Sequence, residues 1–355
     1  MIFSDNINIR TAKKLESLSI VILNWNGKHF LEKFLPSVMK FSGNANVILA
    51  DNASTDDSVD FLKENFPQIS VIQLEVNEGF AKGYNEALKA VKSDFYLLLN
   101  SDIEVTENWL LPLLEVMEDS SVAGCQPKIL AYYHRERFEH AGAAGGFLDK
   151  NYFPFCRGRI FDQFEMDQGQ YDGTLEVFWA TGAALLIRSS IFHEVGGFDP
   201  AFFAHMEEID LCWRIKKKGY KFLAVPQSVI YHVGGGSLPY FSPKKTYLNF
   251  RNSLYVLVKN HEGFLMPKLI WRMILDGLAG LRFLVRGEWK QFQSVLRAHM
   301  DFYKRLRILL KQRKEIKQEG GKFNAAGLYR GNILWARYFK GVSKFSHLNQ
   351  RLFSK

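Results

Sequence analysis

The densest group of ionisable side chains lies in Phe202-Phe203-Ala204-His205-Met206-Glu207-Glu208-Ile209-Asp210-Leu211-Cys212-Trp213-Arg214, where three carboxylates crowd into four positions at a predicted helix start. Acids at a helix N-terminus are favoured by the dipole, so capping is one reading. The setting supports another. Apolar neighbours on both sides desolvate the acids, and their mutual repulsion raises at least one pKa toward the range of a general base. Asp210 and Arg214 stand one turn apart and can pair simply to fix the helix.

Three more polar groups each follow a short apolar run: Asn24-Trp25-Asn26, Asp51-Asn52 and Asn100-Ser101-Asp102. Brought to one rim, they could bind a nucleotide. The Trp25 indole can stack on a base, an Asp can accept from a base or ribose donor, and a carboxylate ending a buried strand can hold a hard divalent cation across two phosphates. Taken singly, each group is an ordinary turn. The segment Asn77-Glu78-Gly79-Phe80-Ala81-Lys82-Gly83-Tyr84-Asn85 opens a helix but matches neither G-x-G-x-x-G nor G-x-x-x-x-G-K-[ST], which argues against a nicotinamide enzyme or a P-loop ATPase. Such a helix start still admits an anion or a ribose through close backbone approach. His232, just ahead of Gly234-Gly235-Gly236-Ser237, can ligate a metal as a neutral imidazole if a carboxylate such as Asp102 joins it; alone it is structural.

Strands and helices must alternate for these groups to meet. Leu18–Leu23, Val47–Ala50, Ile69–Leu74 and Phe95–Leu99 read as buried strands. Between them Phe30, Leu31, Phe34, Leu35, Val38 and Met39 form one amphipathic stripe, and Ser58–Phe66 and Ala81–Val91 read as helices. This predicts an α/β fold with a doubly wound, mostly parallel sheet, whose ligands sit beyond the carboxyl ends of the strands. After residue 120 the periodicity weakens: His140–Phe147 and Asp162–Gly173 look like loops, Leu175–Trp179 and Ala183–Arg188 like strands, and Glu208–Lys218 like a helix stopped by Gly219.

With 355 residues, 47% of them hydrophobic and 23% charged, the chain has material for a large core, which excludes a disordered or disulfide-stapled class. Cys125, Cys156 and Cys212 are odd in number and widely spaced, so a cysteine zinc site is not expected and a reducing cytosol fits. Phe222–Pro243 lacks Asp, Glu, Lys and Arg, but its glycines and prolines rule out one spanning helix, and no signal peptide is evident at the N-terminus. A cytoplasmic protein is expected. From residue 241 onward 24 Lys and Arg face 6 Asp and Glu, whereas residues 1–240 carry 22 against 31. An acidic catalytic body joined to a basic segment that meets an anionic surface is the implied layout. In that segment Lys268, Arg272, Asp276, Arg282 and Arg286 fall within roughly a 120° arc of one helix, which suits either a helix lying on anionic lipid or one packed on the body. No nucleic-acid partner is expected, since basic residues are not interleaved with aromatic ones as a readout surface requires.

Leu23-Asn24-Trp25-Asn26-Gly27, Asp51-Asn52-Ala53-Ser54-Thr55-Asp56, the Asn77–Asn85 segment, Asn100-Ser101-Asp102, Gly196-Gly197-Phe198-Asp199, Glu207–Arg214 and His232-Val233-Gly234-Gly235-Gly236 follow one another in a single order. That order resembles the inverting, GT-A-fold glycosyltransferases of family 2, particularly their rhamnosyltransferase-like bacterial branch. The resemblance covers about residues 18–260. It implies a Rossmann-like nucleotide-binding half, with Asp51 on the donor's base, Asn100 and Ser101 bordering the ribose, and Asn24, Trp25, Asn26, Asn77, Gly83 and Asn85 completing the donor site. Asp102 corresponds to the metal-binding Asp of a D-x-D-like motif whose first acid is here Asn100, with His232 and the donor diphosphate completing the shell of Mg²⁺ or Mn²⁺. Where the family has a catalytic Asp this chain has Glu208, which is favoured over Glu207 as the base. Trp179, Thr181, Gly182 and Asp210 are implied on the acceptor side.

The resulting expectation divides the chain into a lead (1–17), a catalytic domain (18–240, its nucleotide-sugar half 18–120 and acceptor half 121–240) and a helical, basic, membrane-surface-associating extension (241–355). The expected activity is metal-dependent, inverting transfer of a sugar, rhamnose among the candidates, from a nucleotide-diphospho-sugar to a glycan or lipid-linked glycan acceptor in cell-envelope synthesis. It would work at the inner face of the cytoplasmic membrane. A catalytically silent sugar-nucleotide-binding scaffold is the alternative, resting on Asn100 and Glu208.

Overall fold

A strand covered by helices on both faces has no side to leave polar, and the apolar runs at the start of the chain obey this. The computed structural model describes residues 15–140, 142–234, 242–319 and 321–354; most of the expected lead, together with Gly235, Gly236 and Ser237 of the glycine run, lies outside them. The chain begins β1 (Leu18–Asn24), α1 (Lys28–Phe41), β2 (Asn46–Asp51), α2 (Ser58–Asn65), β3 (Ser70–Gln73), α3 (Gly79–Leu88) and β4 (Phe95–Asn100). Helix α1 buries Leu31, Phe34, Leu35 and Val38, the stripe its spacing predicts. Strands β3, β2, β1 and β4 pair in parallel in that order. Register is what matters for function: Asn24 stands beside Asp51, and Leu23 beside Asn100, so three polar strand ends reach the same rim.

The sheet continues with β5 (Ile103–Val105), α4 (Leu110–Val116), β6 (Val122–Ala131) and β7 (His134–Phe138). A second, five-stranded sheet begins with β8 (Gly146–Asp149), β9 (Pro154–Cys156), β10 (Arg159–Ile160) and β11 (Gln163–Phe164). Its first four strands lie mostly between the two expected loops, His140–Phe147 and Asp162–Gly173, and overlap them only at Gly146, Phe147, Gln163 and Phe164. Strands of two to four residues are too short to show alternation, so nothing in the pattern reveals them. Then follow β12 (Leu175–Val177), β13 (Ala184–Arg188), α5 (Ser189–Glu194), α6 (Glu207–Lys217) and β14 (Lys221–His232). Strand β13 lies antiparallel between β4 and β6, and β14 runs parallel to β6. The mostly parallel main sheet of ten strands has the expected α/β architecture.

The remaining elements are α7 (Pro243–Asn260), α8 (Leu265–Val285), α9 (Trp289–Gln318), β15 (Leu328–Tyr329) and α10 (Ile333–Tyr338). The expected division at residue 240 is not a division in packing. Leu254, Leu257, Phe302, Ile333 and Phe345 share one buried cluster with Phe198 and Trp213, and β15 pairs with β8 as a strand of the second sheet. The orientation of α8 also differs from a helix presenting its cations to lipid. Arg272 and Asp276 are buried and paired at 2.8 Å, the guanidinium lies 4.2 Å from the Phe153 ring centre, and Lys268 donates to the Lys150 carbonyl. Mutual neutralisation puts the Arg272–Asp276 pair on the inner face, while Arg282 and Arg286 of the same stripe stay exposed.

Gly327, in the segment leading into β15, has φ of +85°, and a Cβ there would lie 2.2 Å from the Phe178 backbone nitrogen. Gly327→Ala is expected to cost about 3 kcal/mol, seen as a clear fall in Tm by circular dichroism. An unchanged Tm would show that the C-terminal region is not integral to the body.

Candidate active site

The ends of β1 and β2 are stitched together by their own polar residues. Asn24 Nδ2 donates to Asp51 Oδ1 at 3.3 Å and to Ser54 Oγ at 3.2 Å, and Asp51 Oδ2 accepts from the Ser54 N–H at 3.0 Å. Asn26, at φ 51°, accepts on Oδ1 from the N–H groups of Thr55 and Asp56. Gly27 lies against this knot: a Cβ there would sit 2.3 Å from Asn24 Oδ1 and 3.4 Å from Ser101 Oγ, so the first and fourth strand ends touch through it. Asp51 is buried, with one bond from the protein on each carboxyl oxygen. Trp25 is 48% exposed, its indole open for stacking.

Helix α3 closes on this rim through amides. Asn52 Nδ2 donates to Asn77 Oδ1 and to the Gly79 carbonyl, both at 3.1 Å, while its Oδ1 accepts from the Glu78 N–H. At Gly83 a Cβ would meet Asn52 and Leu23 at 3.2 Å, so the helix can lie close to the strand ends. Asn85 does not present free polar groups to a donor as expected. Asn77 Oδ1 accepts from Asn52 and the Gly79 N–H, and Asn85 gives and receives a bond at the Phe198 backbone, 2.7 and 3.0 Å. Two backbone bonds satisfy the Asn85 amide and tie α3 to the coil before α6.

Beyond β4, Asp102 and His232 come together as the sequence suggests, and a third group joins them. His232 Nε2 is 3.1 Å from Asp102 Oδ1, its Nδ1 is 3.0 Å from Glu139 Oε2, and Asn100 Nδ2 lies at 3.5 Å. Burial alone would lower the His232 pKa; the carboxylates on either side outweigh it and hold the ring well above its usual range. Glu139, 93 positions from His232, carried no local signal in the sequence; the β6–β7 hairpin delivers it. The donor set suits a divalent cation. Two ligands at right angles around a cation with bonds of about 2.1 Å lie roughly 3.0 Å apart, close to the observed Asp102–His232 spacing. A carboxylate on the far ring nitrogen is the usual orienting partner of a metal-binding imidazole. Among the described residues no group of three or more His, Cys, Asp or Glu is placed to hold a metal ion.

Glu207 and Glu208 start α6 after a coil in which Phe203, His205 and Met206 have positive φ. One carboxyl oxygen of each is buried without a hydrogen-bond partner. Burial and then the Glu208 charge push Glu207 well up; burial pushes Glu208 up to about 7, partly restrained by backbone N–H groups at the helix start. Glu207 is only 5% exposed, whereas Glu208 keeps partial access to solvent, which favours Glu208 as the group that meets a substrate. Gly182 links this acid to the nucleotide rim. A Cβ there would lie 3.8 Å from Glu208 Cβ, and the next residue, Ala183, accepts on its carbonyl from the Asn100 N–H at 2.9 Å.

Three residues expected on the acceptor side are turned inward instead. Trp179 is buried over Gly146, where a Cβ would come within 2.1 Å of the indole, and its Nε1 donates to the Phe147 carbonyl. Thr181 Oγ1 accepts from the Ala183 N–H and shapes the turn before β13. Asp210 is fully buried between Lys259 (2.9 Å), Arg214 (2.8 Å) and Asn260 (2.8 Å). Burial would raise its pKa, but Lys259 and Arg214 hold it down at about 2, so it is a structural anion joining α6 to α7.

Residues 19–195 match the family described as Glycosyl transferase family 2. The chain is 23% identical over 273 residues, 72% of its own length and 89% of the relative's, to an N-acetylglucosaminyl-diphospho-decaprenol L-rhamnosyltransferase of Mycobacterium tuberculosis. It is 24% identical over 58% of its length to the rhamnosyltransferase WbbL of Escherichia coli, covering 80% of that protein. In fold it is similar to GalNAc-T7 solved with UDP, GalNAc and Mn²⁺ (TM-score 0.52, 19% identity, 70% of this chain and 48% of that one). It is also similar to the mannosyltransferase PcManGT of Pyrobaculum calidifontis in complex with GDP-Man and Mn²⁺ (TM-score 0.50, 14% identity, 88% and 92%). With the motif order, the strand-end rim and these likenesses in agreement, the chain belongs to glycosyl transferase family 2 and is a rhamnosyltransferase-like glycosyltransferase of GT-A fold.

Proposed function

We propose that the chain carries out metal-dependent, inverting transfer of a sugar, rhamnose first among the candidates, from a nucleotide-diphospho-sugar to a lipid-linked or polysaccharide acceptor in cell-envelope glycan synthesis. The diphospho-lipid acceptor in the name of the mycobacterial relative supports the acceptor class. Work at the inner face of the cytoplasmic membrane follows from that acceptor class; no helix among the described residues is long and apolar enough to cross a membrane.

The observation that carries this reading is the buried, unpartnered carboxyl oxygen of Glu208, held beside the strand turn that leads to Asn100. Trp25 stacks on the donor base, and Asn100 and Ser101 border its ribose. Asp102 and His232, oriented by Glu139, would hold Mg²⁺ or Mn²⁺, which when bound supplies positive charge to the diphosphate leaving group. Glu208 accepts the proton of the acceptor hydroxyl while that oxygen bonds to the anomeric carbon. The bond from that carbon to the diphosphate oxygen breaks on the opposite face, and the configuration inverts.

Because Glu208 must be ionised to accept a proton, kcat/KM is expected to rise with pH through about 7 and level off above it. Glu208→Gln should lower kcat by about 1,000-fold while calorimetry finds donor binding nearly unchanged. Chelation of divalent cations should stop turnover, and Mn²⁺ should restore it. Full activity in Glu208→Gln, or its loss in Glu207→Gln instead, would move the base elsewhere.

A further inference from the structure

Helix α8 is inverted relative to an ordinary surface helix. With Arg272 and Asp276 buried beneath it, Ile270, Trp271, Ile274, Leu278 and Leu281 stand 47–58% exposed on its outer side, and Trp289 at the start of α9 is likewise exposed. From Met266 to Val285 the outward arc of about 140°, at 100° per residue, carries no charged side chain. Single exposed apolar residues need no explanation, but a contiguous stripe along six turns does. At its margin and its C-terminal end stand the exposed cations Arg282, Arg286 and Lys290.

We propose that α8 and the first turn of α9 seat the protein on an anionic phospholipid bilayer, with this stripe lying among the acyl chains and Arg282, Arg286 and Lys290 at the headgroups. Two features select this occupant. The basic margin complements anionic headgroups, whereas in a two-fold contact between copies of the chain it would meet its own positive charge. Trp271 places an amphipathic ring on this face, as interfacial helices do. The proposal gains its purpose from the lipid-linked acceptor proposed above, while its physical basis is independent of the transfer reaction.

Vesicle flotation of the full chain tests it. The protein is expected to float with phosphatidylcholine–phosphatidylglycerol vesicles and more weakly with phosphatidylcholine alone. The variant carrying Ile270→Glu, Ile274→Glu and Leu278→Glu should lose at least about tenfold in vesicle partitioning. Its circular dichroism melt and its hydrolysis of the nucleotide-sugar donor should match the wild type, so a failure of docking is distinguishable from a failure of the transferase reading. Wild-type protein that stays in the aqueous fraction, or a variant that floats equally well, would overturn the proposal. So would sedimentation showing a wild-type dimer that the variant splits, which would assign the face to a second copy.

Discussion

The rest of the site depends on how the coil before α6 is held. Phe203, His205 and Met206 have φ of 64°, 68° and 73°, each a left-handed conformation costing about 1 kcal/mol or more for a residue with a side chain. Two neighbours offset that cost. From the nucleotide-binding half, the N–H groups of Phe80 and Ala81 donate to the Phe203 carbonyl, and Gly79 leaves room because a Cβ would come within 2.6 Å of the Phe203 ring. From the C-terminal side, Asn252 Nδ2 donates to the carbonyls of Phe202, Ala204 and His205, and Arg251 donates to those of Ala201 and Phe202. The acids are thus placed by residues from two distant stretches of chain. The same bonds explain why the basic C-terminal region cannot be separated from the catalytic body.

On α6 one structural choice sends neighbouring acids in opposite directions. Asp210 faces Lys259 and Arg214 and remains an anion, while one carboxyl oxygen each of Glu207 and Glu208 is buried with no partner. Opposite partners on one helix turn therefore give one carboxyl held at about 2 and another at about 7. An unpartnered buried acid weakens the fold, and the Asp210 cluster, extended through Lys259 to Asp199, anchors the helix that bears it.

Much of the nucleotide-binding half was legible in the sequence because buried parallel strands leave continuous apolar runs and their register follows from alternation with helices. Asn24, Asp51 and Asn100 meet on one rim for that reason. Sequence could not show which polar atoms would be used up: Asn85, Trp179, Thr181 and Asp210 all bond inward, and no local pattern separates a spent amide from an open one. Glu139 and Asn252 were invisible because their partners lie 93 and about 50 positions away. The inverted α8 was missed because an amphipathic period gives the angle between two faces, not which one is buried.

The central claim is that burial without a partner raises the Glu208 pKa to about 7, so that its carboxylate, once ionised, is basic enough to accept a proton. Infrared difference spectra of wild-type protein against Glu208→Gln, recorded across a pH titration, observe that carboxyl directly. The account predicts a protonated-carboxyl band, absent in the variant, that disappears only as pH rises through about 7. A band lost near the ordinary glutamate value of about 4.3 would contradict it.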